Sequence, residues 1–573
     1  MQSRLELNLR QTCLPAYLAR HAQVRPDQRW LAQRTTGGSS WEYITFGEAK
    51  DRVDALTQAL AELYIQPDTS LFILSGNSIE HALIMLAAMQ AGLPVAPVSP
   101  AYSMMSEDFG KLKELAATAK PGAVFVQDGS QFAAAARSIA SGDTPVIAVQ
   151  NVQPGQLDFG DLLSSSGRTQ VDCHEQISGS AIAKIMFTSG STGSPKGVPL
   201  THEALVIAGE SNLTVTGALG EGKKTRLDWA PWSHVFGATT LSLSIIEGGC
   251  FYIDGGRPLP KLFDETLRNL AEVQPDLFMN VPAAISMLVE AMEKDDALAN
   301  RILEKLMTLG YGGAALPEDI VRRFQALAIR HTGHRITISC GYGATETGPG
   351  GGFVYWLTER TGTLGLPHPG FAMKLVPIDA QRYEVRILSR AVTRGYLGRP
   401  DLNTVIFDEE GFYRTGDAVV FSVPHDPLSG LIFAGRLNEE FKLQSGTFVR
   451  AGAVRAALLE ATAPLLRDVV ICGENQHCLG ALGWPHPDSL LSETGGVANY
   501  ALALKQRIAA YNAANPGSST AIRMFRLLTT PPSLDHGEVT DKGSINQRAV
   551  QRRRADEVAA LFCQPRTDGT FEV

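Results

Sequence analysis

The stretch Thr188-Ser-Gly-Ser-Thr-Gly-Ser-Pro-Lys196-Gly197 decides how this chain is read. An apolar run over 181–187, interrupted only by Lys184, precedes it and suits a buried strand. Glycines and hydroxyls follow, and Thr201 then stands where an N-cap would open a helix over 203–208. Backbone N–H groups exposed by glycine, several hydroxyl donors and one lysine are what a polyphosphate requires. The P-loop of kinases and ATPases needs a second glycine before its lysine and a hydroxyl after it. Here Pro195 and Gly197 take those places, so the stretch is a phosphate loop of another kind. A flexible Ser/Gly tether is the bland alternative, against which Thr188, Pro195 and Lys196 weigh.

Around this loop, apolar runs alternate with helical segments. Residues 71–74 lead into Asn77, which has capping-box spacing to Glu80 before a helix over 81–91; Gly92 ends it and 93–98 supplies another apolar run. The pattern recurs at 122–127, 131–139 and 145–149, and again at 250–253, 261–273 and 276–281. Such strand–helix–strand units imply an α/β fold with doubly wound subdomains. Beyond about residue 380 the runs shorten and become β-like, at 383–388, 393–396 and 430–434, which suggests a small β subdomain. From 437 onward short strands (469–473, 523–528) mix with helices (452–461, 502–515), as in a compact α+β lid. The expected division is residues 1–436 and 437–573.

The 573 residues, 44% of them hydrophobic, are ample for more than one core. A formal charge of −8 speaks against a nucleic-acid scaffold. The basic run 552–554 reads as a solvated helix face. The N-terminus lacks signal-peptide character and no apolar stretch is long enough to span a bilayer, so a cytoplasmic location is expected. Seven cysteines without a Cys-x-x-Cys pair fit a reducing compartment. Cys472, His477 and Cys478 have no matching second pair for a metal.

Four further segments carry chemistry. Cys340-Gly-Tyr-Gly-Ala-Thr-Glu-Thr-Gly348 follows a β-like run and sets Thr345 beside Glu346, a hydroxyl and carboxylate suited to magnesium on phosphate. Gly310-Tyr-Gly-Gly-Ala-Ala315 resembles a dinucleotide fingerprint, but Pro317 and the lack of a following acidic residue at the right distance discount it. Tyr413-Arg-Thr-Gly-Asp417 offers a carboxylate for ribose hydroxyls, and Gly435-Arg436 a phosphate partner. Trp229-Ala-Pro-Trp-Ser-His234-Val-Phe-Gly237 sets a histidine among aromatics, a wall for a flat apolar acid or else an ordinary core histidine.

Together, in this order, these segments resemble the adenylate-forming superfamily of acyl-CoA synthetases, adenylation domains and luciferases across nearly the whole chain. Leu74-Ser-Gly-Asn-Ser-Ile-Glu-His-Ala-Leu83, Ala96-Pro-Val-Ser-Pro-Ala-Tyr-Ser103 and the ending 529–550 look, more narrowly, like feruloyl-CoA synthases. The resemblance implies two half-reactions, formation of an acyl-adenylate from ATP and capture of the acyl group by coenzyme A. It implies that Thr188, Ser189, Gly190, Ser191, Thr192, Gly193 and Lys196 hold phosphates. Thr345 and Glu346 would serve the α-phosphate and Mg²⁺, with Glu346 as the metal ligand. Adenine would lie on Tyr342, Gly343 and the Gly313-Ala314 backbone, ribose on Asp417, with Arg436 close by. Asn438 would be the hinge, where most relatives carry Asp or Lys, and Gly446 would line the coenzyme A tunnel.

Lys542, in Asp541-Lys-Gly-Ser, is the candidate for the catalytic lysine, in a context that departs from the usual Gly-Lys. The implied acid pocket takes His234, Phe236, Tyr311 and Gly341, with Trp232 and Phe353 as further aromatic walls, and suits a phenylpropenoid. Core packing accommodates the same aromatics equally well. Expected partners are an aromatic acid, ATP and coenzyme A, with a homodimer left open and no nucleic acid. Benzoate-type or fatty acids, a carrier protein as acceptor, and a non-catalytic nucleotide-binding relative are the alternatives. The intact Lys196, Glu346, Asp417 and Lys542 argue against the last of these.

Overall fold

A computed structural model of the chain describes all residues except 36, 39, 166–175, 190–194, 218–223, 349, 359, 487–496, 541–542 and 564–568. Two large sheets dominate it. The first has seven strands in the order Leu157–Asp158, Val146–Gln150, Pro121–Asp128, Ser70–Leu74, Val95–Val98, Ile182–Ser189, Pro195–Thr201. All pairings are parallel except the last, which is antiparallel. Its central strands are apolar on both faces because helices cover both, as the fully buried Ser70–Leu74 shows.

The second sheet has thirteen strands. Six parallel strands, among them Thr225–Asp228, Leu277–Asn280, Thr308–Tyr311 and Thr337–Gly343, form one half. The antiparallel strands Gly351–Val354 and Thr363–Pro367 lead into Asp426–Arg436, Tyr413–Val423, Tyr383–Leu388 and Ala372–Pro377, the expected β subdomain. One hydrophobic cluster joins both sheets through the helices Ile79–Gln90 and Val235–Glu247, taking Leu71 and Val95 from one sheet and Leu31 and Phe251 from the other.

Three sequence expectations change. The helix after residue 78 is capped by Ser78, whose hydroxyl accepts from His81 N, and not by Asn77. Asn77 instead donates to Ala230 O and accepts from Trp232 N, both at 2.9 Å, and so fixes the loop before His234. Residues 393–396 are irregular, not a strand. The phosphate stretch, expected to run straight on toward a helix, has its described ends in two antiparallel strands, Thr188 opposite Lys196, and the second of these is Pro195–Thr201; Thr201 does cap the following helix, His202–Thr216, by accepting from Ala204 N.

After Arg436, the turn Leu437–Glu439 leads to a unit with its own core around Val469, Leu479, Phe525 and Tyr500. Its four-stranded sheet comprises Leu466–Cys472, Leu479–Pro485, Ile522–Leu527 and Thr570–Glu572. Buried Arg382 of the β subdomain binds both Asp379 and Glu440, linking the subdomain to the first strand of this unit. Among the described residues no helix is long and apolar enough to cross a membrane, no group of three metal-binding side chains occurs, and six cysteines are free.

The core also encloses charge. Glu247 accepts three hydrogen bonds from the Arg226 guanidinium, at 2.6, 2.7 and 3.2 Å, and lies 3.4 Å from Lys224 Nζ, all three residues buried. Removing one partner of a buried ion pair leaves the others uncompensated, which costs about 3–5 kcal/mol. Glu247→Ala is therefore expected to lower the stability measured by urea unfolding by about that amount. The exposed Arg330–Asp296 pair should contribute under about 1 kcal/mol in the same assay.

Candidate functional site

The site is built on the free edge of the seven-stranded sheet. In the return strand, residues 195, 197 and 199 turn their backbone polar groups outward, and two of them, Pro195 and Pro199, have no N–H to satisfy. Their outward carbonyls still need donors. Leu397 N donates to Gly197 O at 2.9 Å and Thr393 Oγ1 to Pro199 O at 3.0 Å. The irregular segment 393–397 is thereby laid along the edge, and it carries Tyr396 into the space beside Lys196.

There the Tyr396 hydroxyl donates to Glu346 Oε1 at 2.8 Å, while Lys196 Nζ lies 4.8 Å over the Tyr396 ring. Tyr413 hydrogen-bonds Tyr396 from behind. Burial lowers the Lys196 pKa, opposed by the charge of Glu346. Glu346 sits in the turn Thr345–Thr347 that ends the strand Thr337–Gly343, and its backbone carbonyl accepts from Thr393 N at 2.8 Å. Sequence reasoning missed Tyr396 altogether. Tyr396 lies one residue before Leu397, which follows no recognisable motif, so only the contact with the edge strand reveals it.

Asp417 stands nearby on Tyr413–Val423. It accepts from the Tyr342 hydroxyl at 2.8 Å and lies 3.5 Å from Arg436 Nε, its cross-strand partner. Burial raises its pKa and Arg436 opposes the rise. Burial and the adjacent carboxylate push the Tyr342 phenol well above its usual range, so it remains a donor. Gly341, Gly343, Gly313 and Ala314 are exposed at the ends of their strands, and Gly313 has φ +83 with open space around it.

His234 precedes the helix Val235–Glu247, its backbone N donating to Pro231 O at 3.0 Å. Phe236 packs on Gly312: a Cβ there would lie 3.1 Å from the ring. This places the start of the helix against the end of Thr308–Tyr311. Ser233 and Thr188 share a small hollow with Ser99 and Tyr102, so the histidine loop adjoins the phosphate hairpin.

Other sequence candidates are not brought to this group. Tyr311 is buried in the core with its hydroxyl beside Cys340, and Trp232 is fully buried with its ring edge-on to His81 at 5.1 Å. Phe353 stacks on His368 at 5.3 Å, although its ring also lies against Gly341. Gly446 occupies a hairpin turn in the C-terminal unit. Asn438 is exposed, and its carbonyl accepts from Arg548. Gly190, Ser191, Thr192, Gly193 and Lys542 lie outside the described residues, and of Ser189 only the backbone is described. Either side of 541–542, Thr540 N donates to Ser544 O and Gly543 N to Thr540 O, both at 2.9 Å. Leu534, earlier in this segment, packs against the cluster that includes Phe187 and Leu397.

The sequence also gave no warning of Asp228, which braces the histidine loop from below. Its Oδ1 accepts from Ala230 N at 2.7 Å, with the Thr240 hydroxyl alongside. Burial pushes this carboxyl up to about 7. As pH rises from about 4, the unfolded chain gives up the proton first, so this group's contribution to stability falls until the folded carboxyl ionises too. Asp228→Asn should therefore gain on the wild type between about pH 5 and pH 8, reaching roughly 2–4 kcal/mol in urea unfolding at the upper end. An equal difference at both pH values would contradict the shift.

Against this geometry, the chain matches two protein-family descriptions: AMP-binding enzyme over residues 18–397 and AMP-binding enzyme C-terminal domain over 442–565. It is 26% identical over 422 residues to a carboxylic acid reductase of Segniliparus rugosus, covering 67% of this chain and 33% of that one. With the 4-coumarate–CoA ligase-like 9 of Arabidopsis thaliana it shares 25% over 421 residues, 71% of this chain and 69% of the relative. The chain thus spans a third to about half of the carboxylic acid reductases it matches. Its fold is similar to the anthranilate CoA ligase AuaEII solved with anthranoyl-AMP, at TM-score 0.73 and 18% identity, covering 96% of this chain and 98% of that one.

Proposed function

Because this chain belongs to the AMP-binding enzymes, we propose that it is an ATP-dependent ligase that activates a hydroxycinnamate-type aromatic acid and transfers the acyl group to coenzyme A. The convergence of Lys196, Tyr396 and Glu346 at the edge of the phosphate hairpin, with Asp417 and Tyr342 beside it, carries this reading. Relatives named for 4-coumarate and anthranilate support an aromatic acid.

In the first half-reaction an oxygen of the acid's carboxylate bonds to the α-phosphorus of ATP, and the bond to the bridging oxygen breaks to release pyrophosphate. Negative charge concentrates there, so aimed donors are worth roughly 3 kcal/mol each. Lys196 and the hydroxyls and N–H groups of residues 188–193 hold the departing phosphates. Thr345 orients the α-phosphate. Asp417 accepts from ribose hydroxyls while Tyr342 fixes its second oxygen, and Tyr342, Gly343, Gly313 and Ala314 bound the adenine. Arg436 balances Asp417.

Glu346 fits a magnesium ion, since its Tyr396 partner is a neutral phenol on one oxygen, which leaves carboxylate lone pairs for a metal, and Mg²⁺ is commonly held by one or two carboxylates plus substrate phosphates. When bound, the ion would neutralise phosphate charge. Lys542 bridges the acid and α-phosphate during adenylation. The second half-reaction bonds the coenzyme A sulfur to the acyl carbon, and AMP leaves. For it Lys542 withdraws as the C-terminal unit turns about Asn438, bringing Gly446 to the thiol's path. His234, Phe236 and Gly341 border the acid.

A carrier-bound thiol is the second acceptor to weigh, because the matched carboxylic acid reductases extend well beyond the aligned region. AMP release measured on a panel of acids, with coenzyme A or a phosphopantetheinyl carrier supplied, tests the reading. Ferulate with coenzyme A should turn over well and acetate hardly at all. Equal turnover of the two defeats the aromatic assignment, and acylation of the carrier alone transfers the activity to the second reading. Lys542→Ala should abolish pyrophosphate exchange yet still form thioester from supplied acyl-adenylate; full exchange by that variant would remove Lys542 from its role.

A further inference from the structure

Lys184 interrupts the apolar strand leading to the phosphate hairpin, and no step above uses it. The register shifts between Ile182 and Lys184 relative to the return strand, a bulge that re-aims the side chain. From there the pleat puts Lys184, Met186 and Thr188 on one face, while Ile185 and Phe187 pack on the other. Lys184 is fully buried, and its Nζ has no hydrogen-bond partner among the described residues. Burial brings its pKa down to about 8, which leaves it mostly charged at neutral pH. His81, on the helix packed against this face, is depressed to about 3 by burial first, with Lys184 adding to the effect, and so stays neutral. A buried ammonium without a counter-group is strongly disfavoured. A ligand that supplied an acceptor would relieve it.

Lys184 lines a cavity of about 10 Å³ between the helices His202–Thr216 and Val235–Glu247. Met186, Gly209, Val235, Thr239 and Ser242 help to wall it. That space holds one oxygen-sized group and not a ring. Val235 follows His234 directly, so the cavity lies beside the region already assigned to the acid. Along the strand, Lys184 stands about 13 Å from Thr188. Buried Met186 stands between them on this face, so an arylpropenoate that brings its far oxygen to Lys184 displaces that flexible side chain, whereas a short acid leaves the ammonium bare.

We propose that Lys184 is a recognition subsite for the far end of the acid, donating to a phenol or phenolate oxygen at the para position while the carboxylate lies at the Thr188 end. This rests on the acid-activating function proposed above and names the feature of the acid that the site selects. Specificity follows from the cost of leaving a buried donor unpaired when the oxygen is missing.

The test compares 4-hydroxycinnamate with cinnamate in the AMP-release assay, for the wild type and Lys184→Met. The variant should lose roughly 30- to 100-fold in kcat/KM on the hydroxy acid and change less than about threefold on cinnamate. Its Tm should hold or rise, because a buried charge is gone. Equal losses on both acids, or an unchanged hydroxy acid, overturn the subsite while leaving the ligase reading intact. A wild type that activates neither acid defeats both.

Discussion

The candidate site depends on an edge that cannot be left open. A final strand with prolines at 195 and 199 offers carbonyls outward without the matching N–H groups, so no further strand can pair along it in regular fashion. The segment 393–397 supplies the donors from one backbone N–H and one threonine hydroxyl. Edge protection and site assembly are thus one event, because the segment that satisfies the edge also carries Tyr396 between a lysine and a glutamate from different sheets.

A second regularity concerns charge. Both central carboxylates, Glu346 and Asp417, are buried, and each is served by a phenol. A neutral donor steadies a carboxylate without cancelling its charge, as a bidentate arginine would. Elsewhere the fold does the opposite: Glu247 is neutralised by Arg226 and Lys224 in the core. Asp417 also has Arg436 at 3.5 Å, a looser pairing than the 2.6 Å contact of Arg226 with Glu247 in the core.

Much of this was legible in advance. Long apolar runs located the parallel strands, since strands covered on both faces have continuous hydrophobic sequences. The order of motifs located Lys196, Glu346 and Asp417. The return strand 195–201 was hidden by the residues that suit it to an edge, two prolines and a glycine, which read locally as strand breakers. Asn77 looked like a cap because capping spacing is short-range, whereas its partners Ala230 and Trp232 are remote in sequence. Tyr311 and Trp232 looked like pocket walls and are core, because composition carries no information about which way a side chain points. Asp228 and Lys184 gave no signal, since isolated charges in apolar runs acquire meaning only from what surrounds them.

One contact sets the mechanical character of the whole. Arg382 holds Glu440 immediately past the turn Leu437–Glu439, with Asp379 as a second anchor on its own subdomain. A charge pair so close to the turn has a short lever arm: were the C-terminal unit to rotate there as proposed, the charges would part slowly while its distal surfaces swept much further. The pair then acts as a tether that persists through small rotations and not as a latch that selects one orientation.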